Sequence, residues 1–90
     1  MAMRKGRSVK ARVIVTLKSG VLDPQGKAIE GALRSLSIDG VRMVRQGKVF
    51  DIDIDARDRD AAQRMLGDAC ERLLANTLVE DYAIEVAKSP

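Results

Sequence analysis

Ninety residues hold one small domain with a narrow stability margin of its own, so association is an expected remedy; a single cysteine, Cys70, and no histidine exclude an internal disulfide and argue against a zinc or copper centre. Sixteen bases stand against 13 acids, but three of the bases (Arg4, Lys5, Arg7) fall in the first nine residues, so the body of the chain is neutral and the basicity belongs to a tail. No apolar run is long enough to span a bilayer, and the basic start is followed by strand-like alternation instead of the apolar stretch of a signal peptide, which points to a reduced, cytoplasmic protein.

Residues 1–9 read as a flexible N-terminal extension and residues 10–88 as a single domain. Lys10–Leu17 alternates as a strand, with Ala11, Val13, Val15 and Leu17 on one face and Arg12, Ile14 and Thr16 on the other. A loop follows, ending at Asp23-Pro24, an N-cap residue before a proline suited to the first helical position. The helix runs to about Leu36, with Ile29, Ala32, Leu33 and Leu36 as its buried stripe and Glu30 and Arg34 as an exposed pair. Ser37-Ile-Asp-Gly40 closes it. Val41–Arg45 and Lys48–Asp55 then predict a hairpin turning at Gln46-Gly47, in a register that sets Val44 opposite Val49, Met43 opposite Phe50, Arg42 opposite Asp51 and Val41 opposite Ile52. Asp58 caps a second helix over about 59–75 with a stripe of Ala62, Met65, Leu66, Ala69, Leu73 and Leu74. Asp60, Arg64, Asp68 and Arg72 line its solvated face, and Asn76 is placed to end it in a left-handed conformation. Val79–Val86 is the last strand. The order β-α-β-β-α-β predicts an α+β, ferredoxin-like sandwich: a four-stranded antiparallel sheet with both helices on one face. The opposite face would then carry Ile14, Val44 and Val49, an apolar strip and the candidate oligomer interface.

Little in the chain suggests catalysis. Without histidine the commonest general base is missing. Asp51, Asp53 and Asp55 alternate on one strand face about 7 Å apart; that spacing is weaker than the clustered oxygen loop of a hard-cation site, and Arg42 is already the expected partner of Asp51. Cys70, beside the second helix's stripe, reads as a small core filler. RNA-recognition modules of this topology stack bases on aromatic residues of their central strands; here the first strand has none and Phe50 is directed at the core. A nucleic-acid-binding ferredoxin-like module acting through the basic tail is the alternative reading, and a small-molecule sensor a third. The metal-carrier Cys-x-x-Cys loop and the acylphosphatase first-loop pattern are absent.

Several segments carry a family resemblance: Lys10-Ala-Arg-Val-Ile-Val-Thr-Leu-Lys18, Gly20-Val-Leu-Asp-Pro-Gln-Gly26, Val41–Ile52, Cys70-Glu-Arg-Leu-Leu-Ala-Asn76 and Val79–Val86. In that order they resemble the PurS family, small subunits of phosphoribosylformylglycinamidine synthase. The family begins near Lys10 and often has proline where Thr77 stands. The resemblance implies a chain with no catalytic residue, metal or cofactor, forming a homodimer or tetramer. Its partners would be a glutaminase subunit, PurQ, which releases ammonia from glutamine, and a large synthetase subunit, PurL, which uses ATP and magnesium to convert formylglycinamide ribonucleotide to its amidine. The small subunit would hold the two together for ammonia transfer. Candidate partner-contact positions are Asp23, Pro24 and Gln25 in the first loop and Arg45, Gly47 and Lys48 around the turn.

Overall fold

The structure, a computed structural model, describes residues 7–87. Its elements are β1 (Arg7–Leu17), α1 (Pro24–Ser35), β2 (Gly47–Ala56), α2 (Arg59–Ala69) running into a π-helical turn at Cys70–Leu74, and β3 (Glu80–Val86). The strands form one antiparallel sheet in the order β2-β1-β3. The expected α+β class is present, with three strands where four were expected.

β1 begins at Arg7, so part of the segment assigned to an extension belongs to the sheet. Ser8 is opposite Asp55, and Val9 is buried with Ala56 and Ala62. Met1 to Gly6 lie outside the described residues. Strand alternation sends Val13 and Val15 to the helix side, where they pack with Cys70 and Ala75 and are flanked by Phe50, Ile52, Leu74, Tyr82 and Ile84.

Both predicted N-caps form. The Asp23 carboxylate accepts the Gly26 N–H at 2.9 Å and Asp58 accepts the Ala61 N–H at 2.8 Å, each satisfying a donor that the first helical turn leaves open. Ser37, at φ 62°, ends α1, with the Ile38 N–H returning to the Leu33 carbonyl at 2.9 Å. α2 ends differently from expectation. Its last turn widens, the Ala75 N–H reaching the Cys70 carbonyl at 3.1 Å, five residues back. Buried positions therefore run Ala62, Leu66, Cys70, while Met65 and Leu73 of the expected stripe are exposed. Asn76 does not take a left-handed conformation; its side chain accepts the Leu78 N–H at 3.2 Å, a local turn that directs the chain into β3.

The hairpin of 41–45 with 48–55 is absent. β2 pairs along its length with β1, so Asp51 is opposite Arg12 instead of Arg42, and Val49 is opposite Ile14 instead of Val44. Residues 38–46 form no helix or strand. Carboxylates hold this segment instead: Glu30 accepts the Val44 N–H at 2.9 Å and Asp23 accepts the Gln46 N–H at 2.8 Å. The same bonds draw 44–46 onto the start of α1.

The expectation that both helices cover one sheet face is also corrected. α2 packs on the sheet, contacting β2 and β3; α1 makes no comparably extensive contact with any strand and contributes no residue to the two buried clusters. Ile29, Ala32 and Leu36 are exposed, and Glu30, expected outside, is buried. The molecule is correspondingly long, 57 × 29 × 22 Å with a Cα radius of gyration of 17.5 Å, where a compact domain of this size has about 12 Å.

Candidate assembly surface

Two surfaces emerge. The first is the base of α1. Asp23 bridges two elements, holding Gly26 with one carboxylate oxygen and Gln46 with the other, and those N–H donors keep its carboxyl below the usual range, the Gln46 bond contributing most. The Val44 N–H does the same for Glu30, with Lys27 adding an ion pair at 3.6 Å. Arg45 donates to the carbonyls of Leu17 and Lys18, tying this segment to the end of β1. Gly26 is required by the approach: a Cβ there would run into the Val44 carbonyl oxygen. The result is a clasp joining the exit of β1, the start of α1 and the entry to β2.

Five of the six candidate partner-contact positions, Asp23, Gln25, Arg45, Gly47 and Lys48, are drawn to this clasp or its rim, and Pro24 begins the adjoining helix. A cleft of about 220 Å³ opens here, lined also by Gln46 and Glu80. Lys48 approaches Glu80 at 3.9 Å. Glu30, Gln46 and Glu80 were not among the sequence candidates. Glu30 looked like half of an exposed helical pair, and the tertiary closure that buries it leaves no local pattern.

The second surface is the open face of the sheet. Ile14 and Val49 meet there as cross-strand partners, but Val44 sits outside the sheet. Ion pairs flank this short apolar contact: Lys10 with Asp53 at 2.8 Å, Arg12 with Asp51 at 2.8 Å and Lys18 with Asp81 at 3.3 Å. Ser8 adds a hydrogen bond to Asp53. Arg12 lowers the Asp51 pKa, and Lys10, followed by Ser8, lowers that of Asp53. The face is an ionic ladder more than an apolar strip.

Donors facing Asp23, Glu30, Asp51 and Asp53 hold these four carboxyls below the usual range, which favours the ionised form over proton exchange. Burial raises the pKa of the Cys70 thiol, the opposite of what a nucleophile needs. The Tyr82 hydroxyl donates to Glu71 at 2.7 Å, and that bond raises its pKa. Tyr82 and Phe50 both pack against the helix-side core, leaving neither on the open face to stack a base. Among the described residues no group of His, Cys, Asp or Glu is gathered to hold a metal ion.

Fold and surfaces together define a small α+β domain with a carboxylate clasp at the base of α1 and an ionic ladder on its open sheet face. Comparison with known proteins gives the class its particular form. Residues 10–88 match the family described as PurS: Phosphoribosylformylglycinamidine (FGAM) synthase. The chain is 47% identical over 77 residues to the Bacillus subtilis synthase subunit PurS, covering 86% of this chain and 90% of that one. It is similar to the crystal structure of Methanocaldococcus jannaschii PurS, one of the subunits of formylglycinamide ribonucleotide amidotransferase in the purine biosynthetic pathway, with a TM-score of 0.82, 38% identity and coverage of 91% of this chain and 99% of that one. It is also similar to a chain in the structure of PurLQS from Thermotoga maritima, with a TM-score of 0.84, 32% identity and coverage of 90% and 99%. The chain belongs to the PurS family, the small non-catalytic subunits of FGAM synthase.

Proposed function

We propose that this chain is the assembly subunit that joins the glutaminase PurQ to the synthetase PurL, so that ammonia released from glutamine reaches the activated formylglycinamide ribonucleotide without loss to solvent. The observation that carries the reading is the likeness, over nearly the whole chain, to a component of the Thermotoga maritima PurLQS structure. Ionised, hydrogen-bonded carboxylates and a buried thiol of raised pKa support a role in contact instead of chemistry. In this reading ATP and magnesium belong to the synthetase, the complex is cytoplasmic, and the small subunit is a homodimer or dimer of dimers. The element order supports a ferredoxin-like plan in which the segment of the expected second strand is held by α1. The candidate contact positions around the clasp, Asp23 to Gln25 and Arg45 to Lys48, are offered to the larger subunits.

Gel filtration of the three purified subunits, with glutamine and nucleotide present, tests this directly. The chain is expected to co-elute with both larger subunits and to be required for their mutual retention. Stable association of the two larger subunits in its absence, with the chain eluting alone, overturns it.

A further inference from the structure

Between the end of α1 and the clasp, residues 38–43 run as neither helix nor strand, and they are anchored on both sides. The Ile38 N–H returns to the Leu33 carbonyl at 2.9 Å, and the Val44 N–H to Glu30 at 2.9 Å. Asp39 and Gly40 stand next to each other between those anchors, and both are exposed. Gly40 takes φ 94°, and a Cβ added to it would meet nothing within 4 Å, so its backbone nitrogen lies in open space with no side chain to shield it. Among the described residues neither the Asp39 carboxylate nor the Gly40 N–H has a hydrogen-bond or ion-pair partner. No other aspartate in the chain, nor its one asparagine, is followed by glycine. An unengaged carboxyl thus sits beside an unengaged, unhindered amide, in a stretch whose backbone is held by no ladder.

We propose that Asp39-Gly40 is a site of spontaneous covalent modification, isomerising in the folded chain through a cyclic imide to an isoaspartyl linkage. The proposal goes beyond the assembly role and does not depend on it. The Gly40 nitrogen attacks Cγ of Asp39. A new N–Cγ bond closes a five-membered ring, and the carboxyl oxygen leaves as water, taking the proton of the nitrogen and one from solvent. Water then reopens the ring. Addition at Cγ restores aspartate; addition at the main-chain carbonyl of Asp39 breaks the original peptide bond, so that the chain continues through Cγ and the former carbonyl becomes a free carboxylate. Only water is exchanged, and the charge is unchanged. Ring closure needs a nitrogen free of hydrogen bonds and a backbone able to swing it towards Cγ. The other candidates lack these. Pro24 offers Asp23 no N–H. β-Branched isoleucines follow Asp51 and Asp53 in β2, where Arg12 and Lys10 hold the two carboxylates. The Ala61 N–H that follows Asp60 is bonded to Asp58. The isoaspartyl product adds one methylene to the backbone between the two anchors, so α1 and the clasp keep their hydrogen bonds.

The test is prolonged incubation of the full-length chain in warm neutral buffer, followed by two readouts. Peptide mapping with electron-transfer fragmentation separates aspartyl from isoaspartyl linkages at each position. Methyl transfer from S-adenosylmethionine by a purified isoaspartyl carboxyl methyltransferase counts them independently. Isoaspartate is expected at position 39 at a level about tenfold or more above that at any other aspartate or at Asn76, since only there is the local opening already made. Asp39→Glu keeps the charge but requires a six-membered ring, and it is expected to remove the methyl-accepting site. In the aged wild type, the Ile38 and Val44 amides should stay protected from exchange. An intact aspartate at 39 in the folded chain, under conditions in which a synthetic peptide of residues 36–43 converts, overturns the proposal by showing that the fold or a covering surface shields the site. Equal conversion at several aspartates overturns the selectivity, and loss of Val44 protection in step with conversion overturns the claim that the clasp survives it.

Discussion

At the scale of single residues, the same side-chain types do opposite work according to what they face. Glu30 is an acid on a helix with a base four residues on, a pattern that reads as solvated; its carboxylate is instead buried and receives a backbone donor from Val44. Removing it should therefore loosen a segment more than it harms a helix. In Glu30→Ala, amide exchange at Val44 and Gln46 is expected to speed by about tenfold or more while β1 amides stay protected, because opening would be local; equal acceleration throughout the sheet would show that the clasp supports the whole fold. Gly26→Ala drives a methyl into the Val44 carbonyl and should cost about 1–3 kcal/mol, the usual range for overpacking, read from urea unfolding. The pH response follows from the clasp, the ladder and the second cap together. Asp23, Glu30, Asp51, Asp53 and Asp58 all have carboxyl pKa values lowered by donors that favour the ionised form. A group lowered on folding stabilises the native state above its unfolded pKa, about 4, and that contribution disappears as pH falls through the folded value. With no histidine to titrate between them, stability should be nearly level from pH 5.5 to 8 and fall below about pH 4. A midpoint by thermal unfolding that changes steeply near pH 6.5 would contradict this.

At the scale of elements, what could be read from the sequence was what is decided locally. Asp23-Pro24 and Asp58 start helices because a carboxylate two or three residues ahead of free N–H groups acts within one turn, and the alternation of β1 is enough to put Val13 and Val15 inside. The hairpin was not decided locally. Val41–Arg45 has the composition of a strand, and its register against β2 paired apolar with apolar and base with acid. Yet β1 supplies Asp51 with an equally good base in Arg12 and Val49 with Ile14, while Glu30 and Asp23 hold the Val44 and Gln46 N–H groups. Between two chemically acceptable pairings, long-range contacts chose, and no spacing rule reports that choice. The start of β1 was misplaced for a related reason: Arg7-Ser8 looks like tail until Val9 is seen against Ala56 and Ala62. Deleting residues 1–6 should leave stability within about 0.5 kcal/mol of the full chain. Extending the deletion through Val9 should cost roughly 1.5–3 kcal/mol, the contribution of burying one valine, and denaturant midpoints of the two truncations would separate these cases.

For the whole molecule, the candidate positions in the first loop and around the turn were picked out by resemblance, and the fold gives them a physical reason to act together. Asp23 and Arg45 tie the start of α1 to the segment before β2 and to the end of β1, so Gln25, Gly47 and Lys48 share one edge with them. The position of α1 was not legible, because its stripe specifies only that something apolar covers it. In the role proposed, the subunit acts by raising local concentration. Free ammonia released by a glutaminase dilutes into the bulk, whereas holding donor and acceptor enzymes together converts the second step into an intramolecular encounter at millimolar effective concentration. The one thiol of the chain, Cys70, is buried and its pKa raised, unfavourable for a nucleophile in either step. Two measurements follow with synthetase, glutaminase, formylglycinamide ribonucleotide, ATP and magnesium. The purified chain alone should give no turnover above background. Leaving it out of the reconstituted mixture should lower the glutamine-dependent rate by about tenfold or more, and change the rate with saturating ammonium chloride far less, since external ammonium bypasses the transfer that assembly protects. If both rates fell by the same factor, the chain would be acting on the synthetase's own chemistry, and an assembly role alone would not describe it.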